Sequence, residues 1–260
     1  MIKSRRRWLV WLVLAVVLLA ALAAVAWTTL TYPPLPEAVA ALQSDAQVSV
    51  QAGPWWVFRP ADGEPTTGLV LYPGGLVDER AYAPAARAIA AQGCLVAIVP
   101  MPLRLAVLGA ERAAAVLKAF PETKQWAVGG HSLGGAMAAQ FARRHPDRAH
   151  GLVLWAAYPS GSDDLSDSEL QVLSLYATND GLTSFEEIEG SRRLLPPDAE
   201  FVAIEGGNHA QFGAYGPQRG DGVPTIGREA QQAQIVAATV ALLEKLEANT
   251  SLAKVDHNGR

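Results

Sequence analysis

Cysteine is almost missing from this chain: Cys94 is the only one in 260 residues. No internal disulfide can form, so a hydrophobic core has to hold the fold, and disulfides say nothing about the compartment. Cys94 sits in the apolar run GCLVAIVP, where a lone thiol reads as a small buried hydrophobe. The five histidines are scattered, so no zinc set can be assembled and no metal is expected. No glycine-rich phosphate loop stands between a strand and a helix, apart from one motif that serves another purpose, and no cofactor is expected. Internal repeats and low-complexity tracts are absent. Acidic side chains are missing from residues 1–36, which carry Lys3, Arg5, Arg6 and Arg7. The rest of the chain then holds 17 basic against 25 acidic side chains, a formal −8. An acidic body of this kind is a poor partner for nucleic acid. Nothing in the composition bears on the oligomeric state.

What is present begins with a long apolar run. Residues 8–30 are apolar except for two threonines, and the basic cluster directly precedes them. About 20 helical residues cross a bilayer core. The positive flank is expected to stay in the cytoplasm, placing everything after Leu30 on the far side. The length of the run, and Trp8, Trp11 and Trp27 near its ends, favour an uncleaved signal anchor: a single-pass cell-membrane protein with an extracytoplasmic domain. The alternative is a signal peptide cleaved near Ala26, since Ala24-Val25-Ala26 fits a small-x-small site, and a secreted product. Tyr32-Pro33-Pro34-Leu35-Pro36 then reads as a stiff spacer.

Beyond the spacer, short apolar runs alternate with helical stretches. Strand character marks 48–58 (broken at Gly53-Pro54), 68–72, 95–99, 126–129, 151–157, 172–177 and 201–204. Helical patterns mark 78–92, 104–120, 132–145, 184–194 and 228–246. Such alternation means α/β: a mostly parallel, doubly wound sheet covered on both faces. The chain divides into a basic flank (1–7), a transmembrane helix (8–30), a spacer (31–36), one α/β domain (37–247) and a loose polar tail (248–260). Only the turn-rich stretch YPSGSDDLSDSEL separates two central strands, too little for a helical cap. Ligands of such sheets bind at the carboxyl ends of the strands.

The strongest motif is Gly130-His131-Ser132-Leu133-Gly134, followed by Gly135. It stands directly after the strand WAVG and directly before the helix GGAMAAQFARRH. That is the setting of a nucleophile elbow. A serine on a tight strand-to-helix turn has strained dihedrals, and side chains two residues either side would collide, so glycine is needed at 130 and 134. The turn also aims the Leu133 N–H and the helix N-terminus at a developing oxyanion.

With these residues the chain resembles the α/β-hydrolase superfamily, and most of all its small, capless branch related to dienelactone hydrolases. VLYPGGLVDERAYAPAARAIAAQG, GGHSLGGAMAAQFA, YATNDG and EGGNHAQFG carry the resemblance, over roughly 69–246. Dienelactone hydrolases proper have cysteine at the elbow, where this chain has Ser132, so dienelactone is not implied as substrate.

The superfamily order is serine, acid, histidine. Of the histidines, only His209 sits just past the final strand, in GGNHAQFG, where a general base belongs. The acid is expected after the strand VLSLYA, at Asp180; Asp163 and Asp164, one strand earlier, are the rivals. The resemblance further implies that Gly75 N–H pairs with Leu133 N–H as oxyanion donors, with Leu76 as runner-up. Pro100-Met101-Pro102-Leu103 follows a strand end and is expected to form an apolar wall, with Met101 as a substrate contact, or else simply a packed loop. Trp55 and Trp56 either pack or face a lipid surface. The stretch 210–227 exceeds the roughly 12–15 residues usual for an unstructured loop. Within it, 213–222 is expected to fold over the mouth as a lid, with Gln211 or Arg219 reaching substrate; otherwise it is a passive loop in which Arg219 and Asp221 pair.

Two functions stay in view. One is a membrane-tethered hydrolase of small-molecule carboxylic esters or thioesters, with amide or peptide hydrolysis as an alternative within the enzyme class. The other is a binding or scaffold protein on the same fold, a class that usually shows a damaged triad.

Overall fold

A computed structural model of the chain describes residues 2–258, with side chains at 2–10, 20, 22–24, 26 and 249–258 outside the description. Two units emerge, Met1–Tyr32 and Pro33–Arg260. The first is one helix, α1 (Ile2–Leu30), along which every side chain from 11 to 19 is exposed. Among the described residues no helix is long and apolar enough to cross a membrane. Within the expected span at 8–30, the side chains at 8–10, 20, 22–24 and 26 lie outside the description.

The second unit opens with a short helix, α2 (Pro36–Ala40), and is built on an eight-stranded sheet. Its strands are β1 (Val48–Gln51), β2 (Trp56–Pro60), β3 (Thr67–Tyr72), β4 (Leu95–Ile98), β5 (Gln125–His131), β6 (Gly151–Trp155), β7 (Gln171–Ala177) and β8 (Glu200–Ile204). Their order is β1-β2-β4-β3-β5-β6-β7-β8. The first two pair antiparallel, and every pairing from β4 to β8 is parallel.

The central strands are apolar at consecutive positions because both faces are covered. Side chains alternate across a strand. Val70, Tyr72, Val128, Leu152 and Leu154 share one core with Met137, Ala138 and Phe141 of α5 (Leu133–Arg144), and Trp55 packs against it. On the other face, Trp155 Nε1 donates to Thr239 of α7 (Arg228–Asn258), and Gly151 lies against Leu242 and Leu246 of that helix.

Three expectations change in the structure. The helix anticipated at 104–120 is three short 3₁₀ turns followed by α4 (Ala113–Ala119). Leu103 and Arg104 have φ of 50° and 54°, left-handed values that interrupt a right-handed helix. The buried Tyr72 hydroxyl then sets the start of α4, donating to Ala110 O at 2.6 Å and accepting from Ala113 N at 2.7 Å. Helix 78–92 likewise divides into a 3₁₀ turn (Glu79–Tyr82) and α3 (Ala83–Ala90). At the C-terminus, the tail expected to be loose continues α7 to Asn258; neither Gly nor Pro interrupts the chain from 228 to 258. Residues 259–260 lie outside the described residues.

Candidate active site

The site grows from the carboxyl ends of β5, β7 and β8. Ser132 follows β5 directly and has φ 53° and ψ −124°. A non-glycine residue there stores of the order of 1–3 kcal/mol and persists only where its surroundings impose it. They do so here. Ser132 N donates to Trp155 O at 2.9 Å. A Cβ on Gly134 would lie 2.3 Å from Tyr72 O, and one on Gly130 2.5 Å from the Gly134 carbonyl carbon. The turn closes only because both positions lack side chains.

Opposite the elbow stands His209, just after β8. Its Nδ1–H donates to Asp180 Oδ2 at 2.8 Å, and the two side chains are each 1% exposed. Its Nε2 is buried and has no hydrogen-bond partner among the described residues. The other oxygen of Asp180 is occupied by its own loop, accepting from Leu182 N and Thr183 N at 2.8 Å each. One carboxylate oxygen therefore holds the loop and the second holds the imidazole. The rivals are elsewhere. Asp163 Oδ2 accepts from Ser160 Oγ, and Asp164 Oδ1 from Ser166 N.

The turn after β3 brings Gly75 against Leu133, whose Cβ would be 3.8 Å from a Cβ on Gly75. Leu76 N–H is already committed to Arg104 O at 2.8 Å, leaving Gly75 N–H and, as the first residue of α5, Leu133 N–H as candidates for a developing negative charge. The turn is pinned from below. Buried Asp78 accepts from Arg80 Nε and from Arg104 at 2.8 and 2.6 Å. Burial alone would raise the Asp78 carboxyl, but the two guanidiniums outweigh it and hold it below the usual carboxylate range.

His131, within the elbow, has a part that residue type did not disclose. It is fully buried, and burial first and the neighbouring His209 second depress it far below the ordinary histidine value, so it is neutral. Tyr82 hydroxyl shares a hydrogen bond with its Nδ1 at 2.8 Å and accepts from Gly74 N at 2.9 Å. A Cβ on Gly74 would sit 2.7 Å from that Nδ1. Gly74 is thus glycine to let the turn reach the elbow. The His131 ring stacks on Phe212 at 5.5 Å and lies 4.4 Å from the His209 ring.

Met101 and Gln211, expected to contact substrate, are both largely buried. Met101 is buried in the core shared with α5, because the turn that follows β4 folds it inward. Gln211 is 8% exposed, and its Nε2 donates to Ile226 O, so it ties the chain to itself. Arg219 lies in an exposed turn.

The stretch 213–222, expected as a lid, ties together the loops that carry Asp180 and His209. Gly213, Ala214 and Tyr215 are buried. Asp221 does not pair with Arg219. Its Oδ1 accepts from His209 N at 3.1 Å, Gly181 N at 3.2 Å and Gly222 N at 2.7 Å, and its Oδ2 accepts from Ala210 N at 2.8 Å. A carboxylate has about four acceptor sites, and here all serve backbone groups of the loops that carry Asp180 and His209. Sequence reading set Asp221 against Arg219 because its partners Ala210, His209 and Gly181 lie 11, 12 and 40 positions away. Asp221→Ala should displace the base relative to the serine and lower kcat about 10²-fold, the scale of a misplacement of about 1 Å, while Asp221→Asn, which keeps acceptor oxygen, loses less. Kinetics normalised to folded protein check this, and unchanged kcat in Asp221→Ala would reduce the residue to loop packing.

Among the described residues no three His, Cys, Asp or Glu side chains come together to hold a metal ion. An open cavity of about 860 Å³ lies at the opposite, amino end of the sheet, between Gln125 and Gln171. Its position separates it from the serine, so it is not the site of this chemistry.

Comparison with known proteins agrees with the architecture. A sequence model described as "Alpha/beta hydrolase family" matches residues 68–233. No curated protein matches the chain. Among solved structures, a crystal structure of a "predicted CIB-like hydrolase" from Thermoplasma acidophilum superposes with a TM-score of 0.57. It is 13% identical, over 76% of this chain and 100% of that one, and carries the fold alone.

Proposed function

Because the chain belongs to the alpha/beta hydrolase family, we propose that it is a serine hydrolase acting on carboxylic esters, with thioesters as the closely related case. The observation that carries the reading is the strained Ser132 on its elbow together with a buried His209 whose Nδ1 is held by Asp180 and whose ring lies 4.4 Å from that of His131, the elbow residue before the serine. In this reading His209 Nε2 takes the Ser132 hydroxyl proton as Oγ attacks the acyl carbon. The carbonyl oxygen becomes an oxyanion facing Gly75 and Leu133 N–H. His209 passes the proton to the departing alkoxide, and an acyl-enzyme remains. Water then repeats the sequence, giving its proton to Nε2, and releases the acid and Ser132. Within the family we place the chain beside the dienelactone hydrolases, with serine in place of their cysteine. No helix stands between β6 and β7, as suits a capless branch.

We read the apolar segment at 8–30, with its basic flank, as a single-pass anchor that puts the hydrolase unit outside the cytoplasm. Turnover of p-nitrophenyl esters of graded chain length by the full chain tests the enzymatic reading. Hydrolysis of at least one member well above background is the expected result. No turnover of any ester or thioester would overturn it.

A further inference from the structure

Large apolar side chains standing in solvent are common when scattered, but in the hydrolase unit they are gathered at one end. Leu103, Val107 and Leu108 lie on the turns between β4 and α4. Leu182 and Phe185 lie where the chain leaves β7, Phe185 opening α6 (Phe185–Ser191). Val223, 82% exposed, lies after β8. The last, Val39, is on α2, which packs against the 3₁₀ turn beyond β3. All of these follow the carboxyl ends of strands or pack on segments that do. None of these exposed side chains stands at the opposite end, where the open cavity is lined by charged residues such as Arg143, Asp164 and Glu169 mixed with the buried Leu165 and Leu170.

The arrangement is centred on the serine. In the sheet order, β4 and β7 each stand two strands from β5, whose end carries Ser132. With strands about 4.8 Å apart, an apolar shoulder rises roughly 10 Å to either side of the nucleophile. Large contiguous apolar areas on such a surface mark contact with another apolar phase. The chain also enters the unit at this end. Leu35 N donates to Ala214 O at 2.9 Å and Pro34 bridges Tyr215, a few residues beyond His209. Only three residues of chain separate Pro34 from Leu30, where the apolar N-terminal run stops.

We infer that the carboxyl-end face of the hydrolase unit rests on a lipid bilayer and that its substrates are acyl esters dissolved there. The inference rests on the ester-hydrolase reading of Ser132 and supplies its substrate class. The two shoulders enter the outer hydrocarbon boundary, where the ester groups of acyl lipids lie. A long-chain ester then reaches Ser132 between the shoulders without its alkyl chain crossing water. A short, water-soluble ester needs no such contact and reacts at the same serine.

The test uses the full chain in phosphatidylcholine vesicles. p-Nitrophenyl palmitate is dissolved in the bilayer, and p-nitrophenyl acetate is added to the aqueous phase. Two variants cut back the shoulders and leave the N-terminal segment untouched: Val107→Ser with Leu108→Ser, and Phe185→Ser. Each should keep its thermal midpoint and stay within about twofold of the parent on the acetate, while losing tenfold or more in kcat/KM on the palmitate. Equal activity of parent and variants on the palmitate overturns the inference. So does a parent that hydrolyses the acetate and not the palmitate, which leaves the ester reading standing. A parent that hydrolyses neither overturns both.

Discussion

Ser132→Ala is expected to abolish covalent labelling by a fluorophosphonate probe and to lower kcat on the best ester roughly 10⁴-fold or more, the usual scale for loss of a serine nucleophile. The elbow geometry makes this a clean substitution. The strain at φ 53° belongs to the backbone, held by the Trp155 carbonyl and by glycines that admit the Tyr72 and Pro73 carbonyls. Alanine keeps the Cβ and meets the same constraints, so Ser132→Ala should melt close to the parent and the loss should be chemical. Residual catalysis by the oxyanion donors and by substrate binding is expected to remain. Labelling of the parent at any other serine, mapped by peptide mass spectrometry, would remove Ser132 from the mechanism.

Asp180→Asn is expected to come second, with kcat down about 10⁴-fold. Asparagine can keep the oxygen that accepts from Leu182 N and Thr183 N, so the loop stays in place. What changes is the group facing His209 Nδ1. An amide NH2 there turns Nδ1 into an acceptor, drives the imidazole proton to Nε2 and leaves no lone pair to take the Ser132 proton. Asp163→Asn and Asp164→Asn are the controls. Asp163 accepts from Ser160 Oγ, and Asp164 from Ser166 N at the border of the far cavity. Both should keep kcat within a few-fold of the parent. A severe loss in either, with Asp180→Asn near normal, would overturn the assignment of the acid.

The central strands were legible because apolar runs of strand length, bounded by turns, have few alternatives. The turns after β4 were not. Residues 104–120 are alanine-rich and read as one helix, yet the buried Tyr72 hydroxyl occupies the polar groups of Ala110 and Ala113 and starts the helix late. Those displaced turns carry Val107 and Leu108 into solvent beyond the carboxyl end of β4. Helix propensity is a weak local bias, and one buried hydroxyl from a distant strand overrides it.

By itself the sequence determined the α/β class, the elbow at Ser132 and the chain order in which Ser132, Asp180 and His209 close their strands. These are local matters: a tight turn dictates glycines two residues away, and strand ends follow from short apolar runs. Tertiary structure alone decided the rest. It spent Leu76 N–H on Arg104 and gave Gly75 N–H no backbone partner among the described residues, turned Met101 and Gln211 inward, and set His131 against Tyr82 across 49 positions of chain. It also gave Asp221 the task of joining the loops of Asp180 and His209, reaching Gly181 across 40 positions. Each of these depends on which polar groups are buried together, and a buried donor or acceptor must find its partner wherever the fold presents one.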